Sequence, residues 1–176
     1  ELMTDIKQAF EAVTAQLTGP GAPWEVRRGE DGVAYYAQAP ANLVQALAVA
    51  RQHGDREFLV YEGERRSFNQ LMAEADAIAA ALQASGVAPG DRVGLAMRNY
   101  PEWMAVFIAV VTIGAVIVPV NSWGQAADIS HALGDAGVRL AFLDEARYKG
   151  IADWLGAQGV PGVIARPTDP ADPRGM

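Results

Sequence analysis

From Trp103 to Val120 the chain runs eighteen residues without a charge. A run of that length has two homes, the hydrocarbon core of a bilayer or the inside of a folded domain. Gly114 interrupts it and Pro119 stands near its end. Its second half, Ala115-Val116-Ile117-Val118, is β-branched, and no basic cluster flanks it as topology signals would require. The run therefore reads as a buried helix, Tyr100 to Ile113, followed by a buried strand, Ala115 to Val120. A chain of 176 residues with 51% hydrophobic content can supply the core that such a pair needs, as one compact domain with at most a short appendage.

The same alternation extends both ways. Phe58 to Tyr61 and Arg65 to Ser67 read as a hairpin closed by Glu62-Gly63-Glu64. Ser67 and Gln70 have capping-box spacing, and Phe68, Leu71, Met72, Ala75, Ile78, Ala79 and Leu82 mark one apolar helix face that Gly86 ends. Arg92 to Met97 is a strand. Asn99 with Glu102 reads as the cap of the next helix, with Pro101 tolerated in its first turn. After Val120 come a helix from Gln125 to Ala136, a strand from Val138 to Leu143, a helix capped by Asp144 and running to about Ala157, and a strand from Val160 to Ala165. Alternating strands and helices with short loops predict an α/β fold, a mostly parallel helix-covered sheet with right-handed crossovers. Upstream, Thr4 to Leu17 has helical spacing at Ile6, Phe10, Val13 and Leu17. Residues 19–41 are rich in Gly and Pro without a period and read as an extended arm, and Asn42 can cap a helix from Leu43 to Gln52. The expected organisation is residues 1–41 as helix and arm, 42–165 as the α/β unit behind an N-terminal β-hairpin, and 166–176 as a Pro/Asp-rich linker.

Several function classes are excluded. A net charge of −7 leaves no basic footprint for nucleic acid. With no cysteine there is no disulfide, thiolate nucleophile or Cys-built zinc site, which fits a cytoplasmic location, and two histidines are too few for a His-built metal site. The opening Glu1-Leu2-Met3-Thr4 has no basic-then-apolar signal pattern. No Gly-x-x-x-x-Gly-Lys-Ser/Thr, Gly-x-Gly-x-x-Gly or Gly-x-Ser-x-Gly motif occurs. The Gly86–Asp91 loop enters a strand rather than opening a helix, so it cannot aim helix N–H groups at a phosphate.

Among single residues, His53 reads as a favourable cation at a helix end and His131 as a solvated surface residue. Asp91 and Glu102 have no visible catalytic partner. Asp144 reads first as a helix N-cap, although it stands at the C-terminal end of a parallel strand, where ligands gather in open α/β folds. The loop Asn121-Ser122-Trp123 follows a strand in the same way. Trp123 is expected either to pack in the core or to line an apolar pocket, which makes Asn121, Ser122 and Trp123 the candidate substrate-pocket residues. No catalytic and no metal-ligating residue is assigned.

Four segments carry a resemblance. Ser67-Phe68-Asn69-Gln70-Leu71 resembles the first core motif of the adenylate-forming superfamily, which includes acyl-CoA synthetases, peptide-synthetase adenylation domains and luciferases. Leu82 to Val93 resembles its helix-end Gly-x-x-x-Gly-Asp-x-Val segment. Asn99-Tyr100-Pro101-Glu102 resembles its Asn-x-x-Glu helix start. Gly114 to Asn121 resembles its second core motif, Gly-Ala-x-x-x-Pro-x-Asn. The four stand in the family's order and spacing, cover roughly residues 40 to 165, and are most similar to bacterial fatty-acid–CoA ligases. The resemblance implies an incomplete part of that family's large N-terminal domain. It also implies a two-step reaction, in which a carboxylate and ATP give an acyl-adenylate and a thiol then displaces AMP.

ATP, Mg and CoA are thus implied for a full-length enzyme, with none expected bound to this stretch alone. The family's Ser/Thr/Gly-rich phosphate loop, its later acidic metal and ribose ligands and its C-terminal-domain Lys have no counterpart here. Catalysis by the isolated chain is therefore not expected, and Asn121 is expected to hold the strand end. The expected partners are the remainder of its own chain and, through exposed apolar surface, a second copy. No transmembrane segment and no nucleic-acid partner are expected. The competing readings are a stand-alone α/β binding or dimerisation module without catalysis and a small unrelated enzyme of flavodoxin-like type.

Overall fold

A computed structural model describes residues 2–176, which form two units, residues 2–46 and 47–176. In the first, α1 (Leu2–Thr18) holds Ile6, Phe10, Val13 and Leu17 on one stripe, and all four side chains are exposed. The stretch expected to be an extended arm contains a ribbon instead. Strands β1 (Val26–Arg28) and β2 (Ala34–Tyr36) pair antiparallel, with Arg27 opposite Tyr35. Asp31 Oδ1 accepts from the Val33 amide at 3.0 Å, and Gly32 turns the chain at φ 78°. Three-residue strands are too short to show a period of two, so the residues gave no strand signal. Helix α2 (Leu43–Ala50) begins where Asn42 Oδ1 accepts from the Gln45 amide at 3.0 Å.

In the second unit a single 3-10 turn, Arg51–His53, leads to the hairpin β3 (Glu57–Tyr61) and β4 (Glu64–Ser67). Glu62 and Gly63 both take positive φ, 50° and 111°, as a two-residue turn matched to strand twist requires. Helix α3 (Phe68–Ala84) opens on the predicted capping box: Ser67 Oγ accepts from the Gln70 amide at 3.2 Å, and Gln70 Oε1 accepts from the Ser67 amide at 2.8 Å.

The main sheet is parallel throughout. It comprises β5 (Arg92–Ala96), β6 (Val116–Pro119), β7 (Leu140–Asp144) and β8 (Gly162–Ala165), in the order β6-β5-β7-β8. Its crossovers are α4 (Pro101–Thr112), α5 (Ala126–Ala136) and α6 (Glu145–Gln158). Side chains alternate across it. Val93, Leu95, Leu140 and Phe142 join the core made with α3 and α4, whereas Ala96, Ala141 and Leu143 join the core made with α5 and α6. The helices leaving β5 and β7 thus depart to opposite faces, and these two strands are neighbours.

Two local expectations are corrected. β6 is not a buried strand: among the described residues it pairs only with β5, so it lies at the sheet edge, and Val116 is 48% exposed. Nor does Asn99 cap α4. Pro101 pushes the residue before it into extended geometry, so Tyr100 is the cap position at φ −83°, ψ 157°, and Asn99 stands one residue too early. Residues 166–176 turn back along β8, where the Ile164 amide donates to Arg174 O at 2.7 Å and the Met176 amide to Ile164 O at 3.1 Å. Among the described residues no helix is long and apolar enough to cross a membrane.

Candidate functional site

The opposite departures from β5 and β7 make a topological switch point at their C-terminal ends, the position where open parallel sheets take ligands. The residues there are Met97-Arg98-Asn99 after β5, Asn121-Ser122-Trp123 after β6, Asp144 at the end of β7 and Arg166 after β8. They fall into two clusters.

The first is built on Asp144, which is only 4% exposed. Its Oδ1 accepts from the Arg147 amide at 3.0 Å, the capping bond expected of it. Its Oδ2 accepts from the Arg98 backbone amide at 3.0 Å, which laces β7 to β5 across the switch point. The Arg147 guanidinium stands 3.4 Å from the same carboxylate, and its Nε donates to Ser122 O at 2.8 Å. The candidate loop is therefore held by its backbone. Asn121 Oδ1 accepts from the Trp123 amide at 3.0 Å, which closes a tight turn at the strand end. Trp123 is not a core residue: it is 78% exposed, and one ring face carries the Arg98 guanidinium with Cζ 3.1 Å from the centroid.

The second cluster is built on Arg166, a non-glycine residue at φ 53°. Its Nη1 and Nη2 donate to the two oxygens of Glu64 at 2.7 and 2.8 Å, and its Nε donates to Glu102 at 2.8 Å. One side chain thus ties the hairpin, the start of α4 and the end of β8. The guanidinium lies 5.2 Å from the Tyr61 ring centroid and 5.4 Å from that of Tyr100. The bond to Arg166 holds the Glu64 carboxyl below its ordinary range, and the paired carboxylates push the guanidinium further up. Loss of solvation raises the Tyr61 phenol. Beside the cluster an apolar cavity of about 260 Å³ opens between β3 and α4, lined by Leu59, Tyr61, Tyr100, Trp103 and Met104 among others.

Sequence reasoning singled out Asp144 and residues 121–123, and the structure gathers them at one end of the sheet. It missed Arg98, Arg147 and Arg166. A signal was present for two of them, since Arg98 and Arg166 are the first cations after their strands. His53 instead lies 4.7 Å from Phe68, ring to ring, and His131 is exposed on α5. Among the described residues no three His, Asp or Glu side chains converge as metal ligands. The carboxylates at this end, Asp144, Glu64 and Glu102, are engaged by arginine, so the residues present do not fit a magnesium site.

A family model described as AMP-binding enzyme matches residues 47–172. Among curated relatives, a fatty acid–[acyl-carrier-protein] ligase, ScoC, of Streptomyces coeruleorubidus is 38% identical over 104 residues, 58% of this chain and 20% of that protein. Among solved structures, a long-chain fatty-acid CoA ligase from Rhodopseudomonas palustris superposes with a TM-score of 0.64 at 27% identity, covering 69% of this chain and 32% of that one. The N-terminal subdomain of NpsA from Klebsiella oxytoca, in complex with 3-hydroxybenzoyl-AMSN, superposes with a TM-score of 0.56 at 28% identity, covering 59% and 26%. The matched stretch spans only 16 to 20% of the length of the first curated relatives.

Proposed function

The chain belongs to the family of AMP-binding enzymes, and from that premise we propose that it forms the front part of the large domain of an ATP-dependent fatty-acid, or related carboxylic-acid, ligase. In the proposed reaction a carboxylate oxygen attacks the α-phosphorus of ATP. The bond to the bridging α–β oxygen breaks, and pyrophosphate leaves with that oxygen. A thiol sulfur, taken here as that of coenzyme A, then attacks the acyl carbon of the mixed anhydride and gives up its proton, and AMP leaves. ATP, magnesium and coenzyme A serve the full-length enzyme, for which a cytoplasmic location is proposed.

The observation that carries this reading is the family match across residues 47–172, which includes the switch-point residues of the sheet. Phosphoryl transfer depends on cations and donors placed on developing charge. Within these 176 residues no Ser/Thr/Gly-rich loop ending in Pro-Lys supplies them. The chain by itself is therefore proposed to be inactive. The part proposed for Asn121, Ser122 and Trp123 is to flank the substrate region of the complete domain, with Asn121 fixing the strand end through its own turn. A pyrophosphate-release assay with ATP, magnesium, a fatty acid and coenzyme A tests this. The 176-residue chain is expected to release none, and a chain extended through its downstream reading frame to release it in step with acyl-CoA. Pyrophosphate release by the short chain would sink the inactivity, and an extended chain that forms no acyl-adenylate would sink the ligase reading.

A further inference from the structure

We propose that Arg98 and Trp123 form a gated oxyanion site, in which the Arg98 guanidinium takes two oxygens of one phosphate or carboxylate group when the Trp123 ring swings off it. The case begins with how the arginines at this end of the sheet are spent. Arg147 is committed to Asp144 and Ser122 O, and Arg166 to Glu64 and Glu102. Among the described residues no protein acceptor takes a hydrogen bond from the Arg98 side chain, and no carboxylate pairs with it. Its Nη1 is buried without a partner.

An arginine fork is built for bidentate oxyanions, and a buried cationic donor left unmade is costly to the fold. The local charge agrees. Asp144 pairs with the Arg147 guanidinium and takes only the backbone amide of Arg98, so the Arg98 charge is uncompensated within the first cluster, in a chain whose net charge is −7. Trp123 is placed as the cover. Its ring lies on the guanidinium at 3.1 Å, yet the residue as a whole is 78% exposed, so moving the ring away uncovers the fork without emptying a core. The loop that carries it is anchored behind the ring, through the Asn121 turn and through Arg147 to Ser122 O, so the ring can move while its backbone stays. The position is the switch point between β5 and β7, where a ligand approaching the strand ends arrives. Whose oxyanion binds there rests on the ligase reading, but the site itself does not, and direct binding separates the two.

The test is isothermal titration of the 176-residue chain with sodium pyrophosphate and, separately, sodium acetate, at constant ionic strength against sodium chloride. Saturable binding in at least one arm beyond the chloride control is expected, and the arm identifies phosphate or carboxylate as the source. Arg98→Gln is expected to weaken it at least tenfold, whereas Arg56→Gln, on an exposed arginine elsewhere, should leave it unchanged. Trp123→Ala removes an exposed side chain, so it keeps the test open if Arg98→Gln does not fold; it should tighten binding several-fold. The proposal is overturned by binding no better than chloride, by equal binding to Arg98→Gln, or by a Trp123→Ala chain that binds the same or more weakly.

Discussion

The carboxylate of Asp144 accepts the backbone N–H of Arg98 at 3.0 Å while capping α6 through the Arg147 amide at the same distance. One side chain thus satisfies two main-chain donors at the ends of adjacent strands. Replacing it leaves both in a nearly dry site. Asp144→Ala is expected to cost about 2–4 kcal/mol, the sum of a lost cap and a stranded donor. Asp144→Asn, which keeps one acceptor oxygen, should cost less. Urea unfolding of the two variants checks the order, and an alanine variant as stable as the parent would refute it.

Glycines in the second unit should respond to alanine with opposite signs. A Cβ on Gly94 would lie 2.5 Å from Leu133 Cδ2 and 3.1 Å from Ala141 Cβ, both in a filled core. Gly94→Ala is expected to destabilise by roughly 1–3 kcal/mol through overpacking. Gly156, inside α6, would meet nothing within 4 Å, and there alanine should stabilise by about 0.5–1 kcal/mol. Thermal melts of the two variants should move to opposite sides of the parent.

Acid should loosen residues 166–176 before the core. Lys149 and then Thr168 hold the Glu145 carboxyl down at about 2, and Arg174 holds that of Asp172 down at about 2. Both folded values lie below the ordinary ones of 4.5 and 3.8. Their contribution is therefore complete above those ordinary values and is lost as pH falls toward about 2. Amide protection at Thr168 and Arg174, taken relative to the intrinsic exchange rate at each pH, should fall between about pH 4.5 and 2, ahead of protection in β5 and β7. Simultaneous loss in all of them would count against this.

The open side of β6 predicts self-association. Its unpaired backbone edge carries Val116, 48% exposed, and exposed strand edges recruit other chains. Sedimentation velocity should show concentration-dependent association, reduced by Val116→Lys. A clean monomer at high concentration would contradict it.

Elements written by local rules were legible in the residues. The capping box at Ser67 and Gln70, the apolar face of α3, the cap at Asp144 and the alternation behind the parallel sheet all rest on neighbours within a few positions. What was missed depends on distant chain. β6 reads as buried because Val116-Ile117-Val118 is apolar, but only strand order decides that it has one partner. Asn99 has the spacing of a cap, and Pro101 moves the helix start past it. Trp123 was expected in a core or a pocket wall, and its stack on Arg98 joins the ends of two strands that no sequence pattern sets side by side. The match of residues 47–172 to the AMP-binding enzymes was foreshadowed by motifs in those same local elements.

Arg166 is separated from Glu102 by 64 positions and from Glu64 by 102. During synthesis the hairpin and the start of α4 emerge long before their common counter-ion exists. At roughly 5–20 residues per second, a ribosome leaves Glu64 waiting for several seconds, longer than a small element takes to form. The clasp can only shut on pieces already folded. It should therefore add little to the rate of folding and much to the barrier against coming apart, a late-forming contact that lengthens the lifetime of the native state.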